Sequence, residues 1–135
     1  MKFLNRRQFV TTVSALITAP MAMAQNTGNS SSQVIHHVFF WLKNPGNETD
    51  RKKLMEGLQT LRGVKQVKKL MIGTPARTEQ RTVVDSTYDV SEMMYFDNAA
   101  EQDHYQVDPI HKSFVENYSH LWEKVVVYDM LVADL

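Results

Sequence analysis

Residues 34–42, VIHHVFFWL, carry apolar side chains at both odd and even positions. The run is β-branched and aromatic and too short for a typical helix, which predicts a strand. Val34, His36, Val38, Phe40 and Leu42 share one face; Ile35, His37, Phe39 and Trp41 share the other. Both faces are largely apolar, so both are expected to be covered. The polar stretch NPGN makes a turn. Leu54, Leu58 and Leu61 then recur at helical spacing, with Thr49 or Asp50 as the expected cap and Gly63 as the stop. Residues 64–73, VKQVKKLMIG, read as a weaker strand whose three lysines suit a sheet edge. Residues 74–81, TPARTEQR, read as an exposed loop, and residues 88–96, YDVSEMMYF, as a third strand. Asn98 with Glu101 starts a helix to about Val107. Asp108 caps and Pro109 opens a further helix, buried through Phe114, Tyr118 and Leu121. Residues 124–131, KVVVYDML, form the last strand.

The order is βαββααβ. It predicts an α+β, ferredoxin-like unit: a four-stranded antiparallel sheet with its helices on one face. Helices of one chain cover one side only. The first strand is apolar on both sides. The last nearly is, with Val125 and Val127 on one and Val126, Tyr128 and Met130 on the other. The economical cover for the second side is another copy of the same sheet, a two-fold homodimer.

Ahead of these elements lie two segments without that periodicity. Residues 1–24 carry Arg6 and Arg7 before an apolar stretch, Phe9 to Ala24, that ends in Ala22-Met23-Ala24. This resembles a twin-arginine export signal with a small-x-small cleavage site, although Asn5 stands where that motif usually has Ser or Thr. Thr11, Thr12, Ser14, Thr18 and Pro20 make the stretch more polar than a spanning helix of ~20 apolar residues, so a retained anchor is the lesser alternative. Residues 25–33, QNTGNSSSQ, read as a flexible leader. The mature chain is expected to start at Gln25, in the periplasm or outside the cell, with one domain over 34–131 and no membrane contact after cleavage. The formal charge is zero over all 135 residues, but removing Lys2, Arg6 and Arg7 leaves 12 basic and 15 acidic residues. A slightly acidic body disfavours nucleic acid as a partner. With no cysteine, stability rests on packing alone.

The densest chemistry is DHYQVDPIHKSF, residues 103–114, with two histidines, a tyrosine, two acids and a proline. It reads as a helix–Asp-Pro–helix connection and as the rim of a small-molecule pocket. His104 is expected on the surface. His37 is either a polar group pointing into that pocket or a paired core histidine, and His36, of opposite parity, is placed at the dimer interface. Five histidines offer no His-x-His or His-x-x-x-His pair on one element, so no metal site is expected. There is no glycine-rich phosphate loop and no Gly-x-Ser-x-Gly elbow, and no cofactor is expected. Met93 and Met94 are read as sheet packing.

Taken together, HHVFFWLK, YDVSEMMYF, HYQVDPIH and HLWEKVVVYD resemble the stress-responsive dimeric α/β-barrel (Dabb) family over residues 34–131. The resemblance implies two ferredoxin-like chains packed sheet against sheet. One branch, the olivetolic acid cyclase-like proteins, closes a linear polyketide without a cofactor. It implies Tyr105 and His111 as catalytic residues and matches a further histidine to His37. The base role would fall to His111, near a helix start that disfavours imidazolium, and the oxyanion donor role to Tyr105. The chain departs from the family at Asp108, where His-Pro-x-His is common, and at Val90, where the cyclase has another histidine. No motif of the related haem-degrading or quinol-forming monooxygenases is evident. The expectation is a protein that binds a small apolar or aromatic carbonyl compound, with Tyr105 and His111 at the pocket and His37, Phe39, Trp41 and Trp122 lining it. The alternatives are a cofactor-independent cyclase or lyase-like enzyme, or a structural dimer whose barrel is filled.

Overall fold

Strand alternation organises the sheet residue by residue. The computed structural model describes residues 32–135; the expected export signal and most of the leader lie outside the described residues. The elements are β1 (Val34–Leu42), α1 (Glu48–Thr60), a 3-10 turn (Leu61–Gly63), β2 (Lys69–Gly73), β3 (Val90–Phe96), α2 (Ala99–Val107), α3 (Pro109–Tyr118), a second 3-10 turn (Ser119–Leu121) and β4 (Trp122–Leu131). The strands form one antiparallel sheet in the order β2-β3-β1-β4, so β2 is an edge strand as its lysines imply. This is the ferredoxin-like α+β arrangement.

On β1 the even residues Val34, His36, Val38, Phe40 and Leu42 are buried and the odd ones are half-buried. Opposed residues share a face, so Val90, Glu92, Met94 and Phe96 of β3 join this side, as do Val125, Val127 and Asp129 of β4. The helices lie over it. α1 contributes Leu54 and Leu58, and its 3-10 extension Leu61, all fully buried, each contributing roughly 2 kcal/mol by removal from water. Gly57 lets α1 and α3 approach closely, because a Cβ there would come within 2.7 Å of the Tyr118 ring.

Four expectations need correction. The last strand starts at Trp122, two residues before Lys124, where Trp122 pairs with Leu42 of β1. Asn47, not Thr49 or Asp50, caps α1: its side chain accepts from the Asp50 amide at 2.9 Å, while the Asp50 carboxylate accepts from Asn44. The second strand starts at Lys69, because Val64 to Lys68 turn back, with Val67 N–H donating to the Val64 carbonyl. The third strand starts at Val90, because the buried Asp89 carboxylate accepts from the Leu42 and Gly46 amides and pins the β1 corner. The helix starts at Asn98 and Asp108 stand as read: Asn98 accepts from the Glu101 amide, and Asp108 from the Ile110 amide with Pro109 at the first helical position.

Among the described residues no helix lies over the opposite sheet face. Ile35, His37, Phe39 and Trp41 sit there beside Met93 and Tyr95 of β3 and Val126, Tyr128 and Met130 of β4. Tyr128 is 65% exposed and Met130 52%. His37 packs on Phe39 with ring centroids 4.2 Å apart, and Lys124 lies 4.3 Å over the Trp41 ring. Among the described residues no helix is long and apolar enough to cross a membrane.

Candidate functional site

The Asp-Pro junction brings Tyr105 and His111 together. Tyr105 stands in the last turn of α2, and His111 in the first turn of α3. Because the backbone reverses at Asp108, their rings meet at 4.4 Å between centroids. Tyr105 is buried and also packs on Phe96 at 5.2 Å and on His36 at 5.8 Å. Burial, reinforced by Glu92 once that carboxyl ionises at high pH, pushes its phenol well above the ordinary range, so the hydroxyl keeps its proton.

His111 is partly buried, and that burial lowers its pKa; the Gln106 carbonyl pulls the other way, His36 adds to the lowering, and Asp108 opposes it. Its Nδ1 lies 3.2 Å from the Gln106 carbonyl oxygen. A carbonyl only accepts, so Nδ1 carries the hydrogen and Nε2 is left with a free lone pair. A neutral imidazole with a free Nε2 is the form a proton acceptor needs.

These groups share a cavity of about 130 Å³ between the sheet and the α2–α3 pair. Its polar lining is His36, Glu92, Tyr105, Gln106 and His111. Phe40, Phe114 and Trp122 form aromatic wall, and Val125 and Val127 of β4 complete it. Among the described residues no lysine or arginine lines it. His36 is oriented from behind: its Nδ1 lies 2.5 Å from Asp129 Oδ1, across the β1–β4 pairing. Four larger hollows among the described residues, of about 510, 310, 160 and 150 Å³, contain neither His111 nor Glu92, the groups whose protonation is perturbed beside Tyr105. The smaller cavity is therefore the candidate site. Among the described residues no group of three or more His, Cys, Asp or Glu could hold a metal ion.

The sequence matches the family described as Stress responsive A/B Barrel Domain over residues 34–132. The chain belongs to this family. Solved structures share the fold of this A/B barrel domain. A Dabb family protein with a ferredoxin-like fold from Mesorhizobium loti is 20% identical, with a TM-score of 0.63 over 76% of this chain and 99% of that one. A dimeric ferredoxin-like protein of unknown function from Thermobifida fusca is 14% identical, with a TM-score of 0.60 over 75% and 92%. The hydroxynitrile lyase of Passiflora edulis is 18% identical, with a TM-score of 0.65 over 78% and 97%. Among curated proteins none matches the sequence.

The A/B barrel sheet divides the expected site residues into two groups. Tyr105, His111 and Trp122 line the cavity. Phe39 and Trp41 line a separate hollow of about 160 Å³ on the open sheet face, with Asp85, Tyr88 and Tyr128. His37 is on that open face too, its pKa lowered by burial and by His36. The two strand histidines thus exchange the places expected of them. His36 turns toward the helices and the cavity, and His37 toward the face a second chain would cover, because the helices pack on the even residues of β1. His37, the residue that family resemblance matches to a site histidine, is not among the residues that line the cavity, and His36 is. His36, Asp129, Glu92 and Gln106 are the site residues that sequence reasoning missed. Their signal is parity: His36 follows Val34 and precedes Val38 and Phe40, and Glu92 lies between Val90 and Met94.

Proposed function

We propose that this A/B barrel protein forms a two-fold dimer through its open sheet face and binds a small apolar or aromatic carbonyl compound in the cavity beneath α2 and α3. The observation that carries the binding reading is the cavity itself: about 130 Å³, walled by aromatic side chains, with Tyr105 and His111 converging on it. An apolar cavity of ~150 Å³ takes a benzene-sized guest, so the volume suits one ring or a short chain. The dimer is supported by the apolar, helix-free face around Phe39, Tyr128 and Met130 and by dimeric proteins of the same fold. Residues 1–24 are read as a twin-arginine export signal, with the mature chain beginning at Gln25 outside the cytoplasm.

A second reading, cofactor-free acid–base catalysis, is favoured by the protonation pattern. The Gln106 bond leaves His111 Nε2 to accept a proton from an acidic C–H, and the Tyr105 hydroxyl donates to the enolate oxygen that forms. The same fold houses a lyase in Passiflora edulis. Thermal-shift measurements with benzaldehyde and acetylacetone test the binding reading, followed by product analysis on whichever binds. Saturation at a hundred times Kd adds about 2.7 kcal/mol to the folded state, a shift of several degrees. For catalysis, His111→Ala abolishes turnover with the fold retained, and Tyr105→Phe slows it by roughly a hundredfold. Binding without turnover in the wild type leaves a binding protein. If no compound shifts the wild type and His111→Ala only destabilises it, the cavity is structural and both readings fail.

A further inference from the structure

Glu92 stands where the pattern of β3 calls for an apolar side chain. Its neighbours on the helix side, Val90, Met94 and Phe96, are fully buried, and Glu92 is itself only 3% exposed. It lines the cavity, yet its Oε2 is buried without a hydrogen-bond partner among the described residues. Leaving such an atom unpaired is costly, and leaving it charged is costlier still. The groups around it explain how the cost is limited. β1 presents His36, with Asp129 of β4 behind it; α2 presents Tyr105 and α3 His111. β2 places Ile72 opposite, and α1 turns Leu54 and Leu58 to the core while its Arg51 pairs with Asp89. Among the described residues no cation neutralises the carboxylate from inside the cavity. Burial accordingly pushes the carboxyl up to about 8, so at neutral pH it holds a proton and can both donate and accept.

We propose that Glu92 is a ligand-orienting residue: it donates a hydrogen bond to the carbonyl oxygen of the bound compound and makes the cavity select uncharged carbonyl compounds over carboxylates. The proposal deepens the small-molecule reading and rests on it. An aldehyde or ketone accepts from Glu92 and fills the aromatic wall. A carboxylate of the same size brings a negative charge into a site lined by no lysine or arginine.

Benzaldehyde and benzoate, one ring each and differing in charge, are the probes. Binding is measured by calorimetry at pH 6.5 on the full dimeric protein, with Glu92→Gln and Glu92→Met beside it. In parallel, infrared difference spectra of ligand-free wild type against Glu92→Gln follow the carbonyl stretch of a protonated carboxyl. The band is expected at pH 6.5 and is lost as pH rises through about 8. Benzaldehyde is expected to bind at least about tenfold tighter than benzoate, Glu92→Gln to keep that affinity through its amide donor, and Glu92→Met to lose roughly tenfold or more. A missing band, or benzoate bound as tightly as benzaldehyde, overturns the role of Glu92 while leaving small-molecule binding standing. A band present with neither probe bound overturns the binding reading, and the ligand role of Glu92 with it.

Discussion

Replacing Glu92 with glutamine gives a measurement of buried-acid energetics that needs no ligand. The carboxyl ionises near 4.5 in an unfolded chain and near 8 in the folded one, with burial as the cause. Between those values the folded state holds a proton that the unfolded state has released. Stability therefore falls as pH rises, by about 1.4 kcal/mol per pH unit. The contribution is fully present below about 4.5 and is lost as pH rises through about 8, a total of roughly 5 kcal/mol. Water entering the cavity on ionisation lowers this, so ~3–5 kcal/mol is the expected span. Glutamine has nearly the same shape and does not titrate, and its own burial cost is the same at every pH. His37 and His111 act with the opposite sign: their lowered values give stability that is present above 6.5 and lost as pH falls. Both proteins contain them, so they cancel in the difference. The assay is urea unfolding of wild type and variant at pH 5 to 9, at one fixed protomer concentration because a dimer's stability depends on it. Wild type is expected to lose ground to the variant steadily up to pH 8 and to level off beyond. Parallel curves across that range would refute the reasoning, since they would mean that Glu92 is ionised in the fold.

Tyr128→Glu places a charge on the open face at a side chain 65% exposed in the single chain, so the protomer should fold while the dimer separates. Light scattering at micromolar concentration checks this, and a monomeric wild type would contradict the dimer. N-terminal sequencing of natively made protein is expected to start at Gln25, and an intact Met1 on a cytosolic protein would end the export reading.

Short-range rules could be read in the chain with little loss. Asn98 and Asp108 start their helices because each needs only its own side chain and an amide two or three residues on. Gly63 ends the first helical stretch, and β1 has the limits its composition gave it. The Asp108-Pro109 junction is equally local, while the pairing of Tyr105 with His111 across it is implied by the family resemblance; in the structure their rings lie 4.4 Å apart. The orientation of β1 is different in kind. Alternation divides its residues into two sets, but each set contains one histidine and several large apolar side chains, so composition gives no preference. The choice is made at a distance, by α1, α2 and α3 packing on the even set.

That choice also explains why the missed residues are those that complete the site. His36 and Glu92 are polar residues on a strand face otherwise filled by valine, methionine, leucine and phenylalanine. Asp129 reaches His36 only through strand pairing across 93 residues of sequence. A polar side chain that breaks an inward apolar series needs a partner. For His36 the partner is Asp129; for Glu92 Oε2 none exists among the described residues. Once helix packing fixes the inward parity, the two exceptions to it mark the site more sharply than the dense run at 103–114, where Asp103 and His104 carry no such signal. Local pattern and global packing disagree at these two positions, and at Glu92 the disagreement stays unresolved among the described residues, its Oε2 buried without a hydrogen-bond partner.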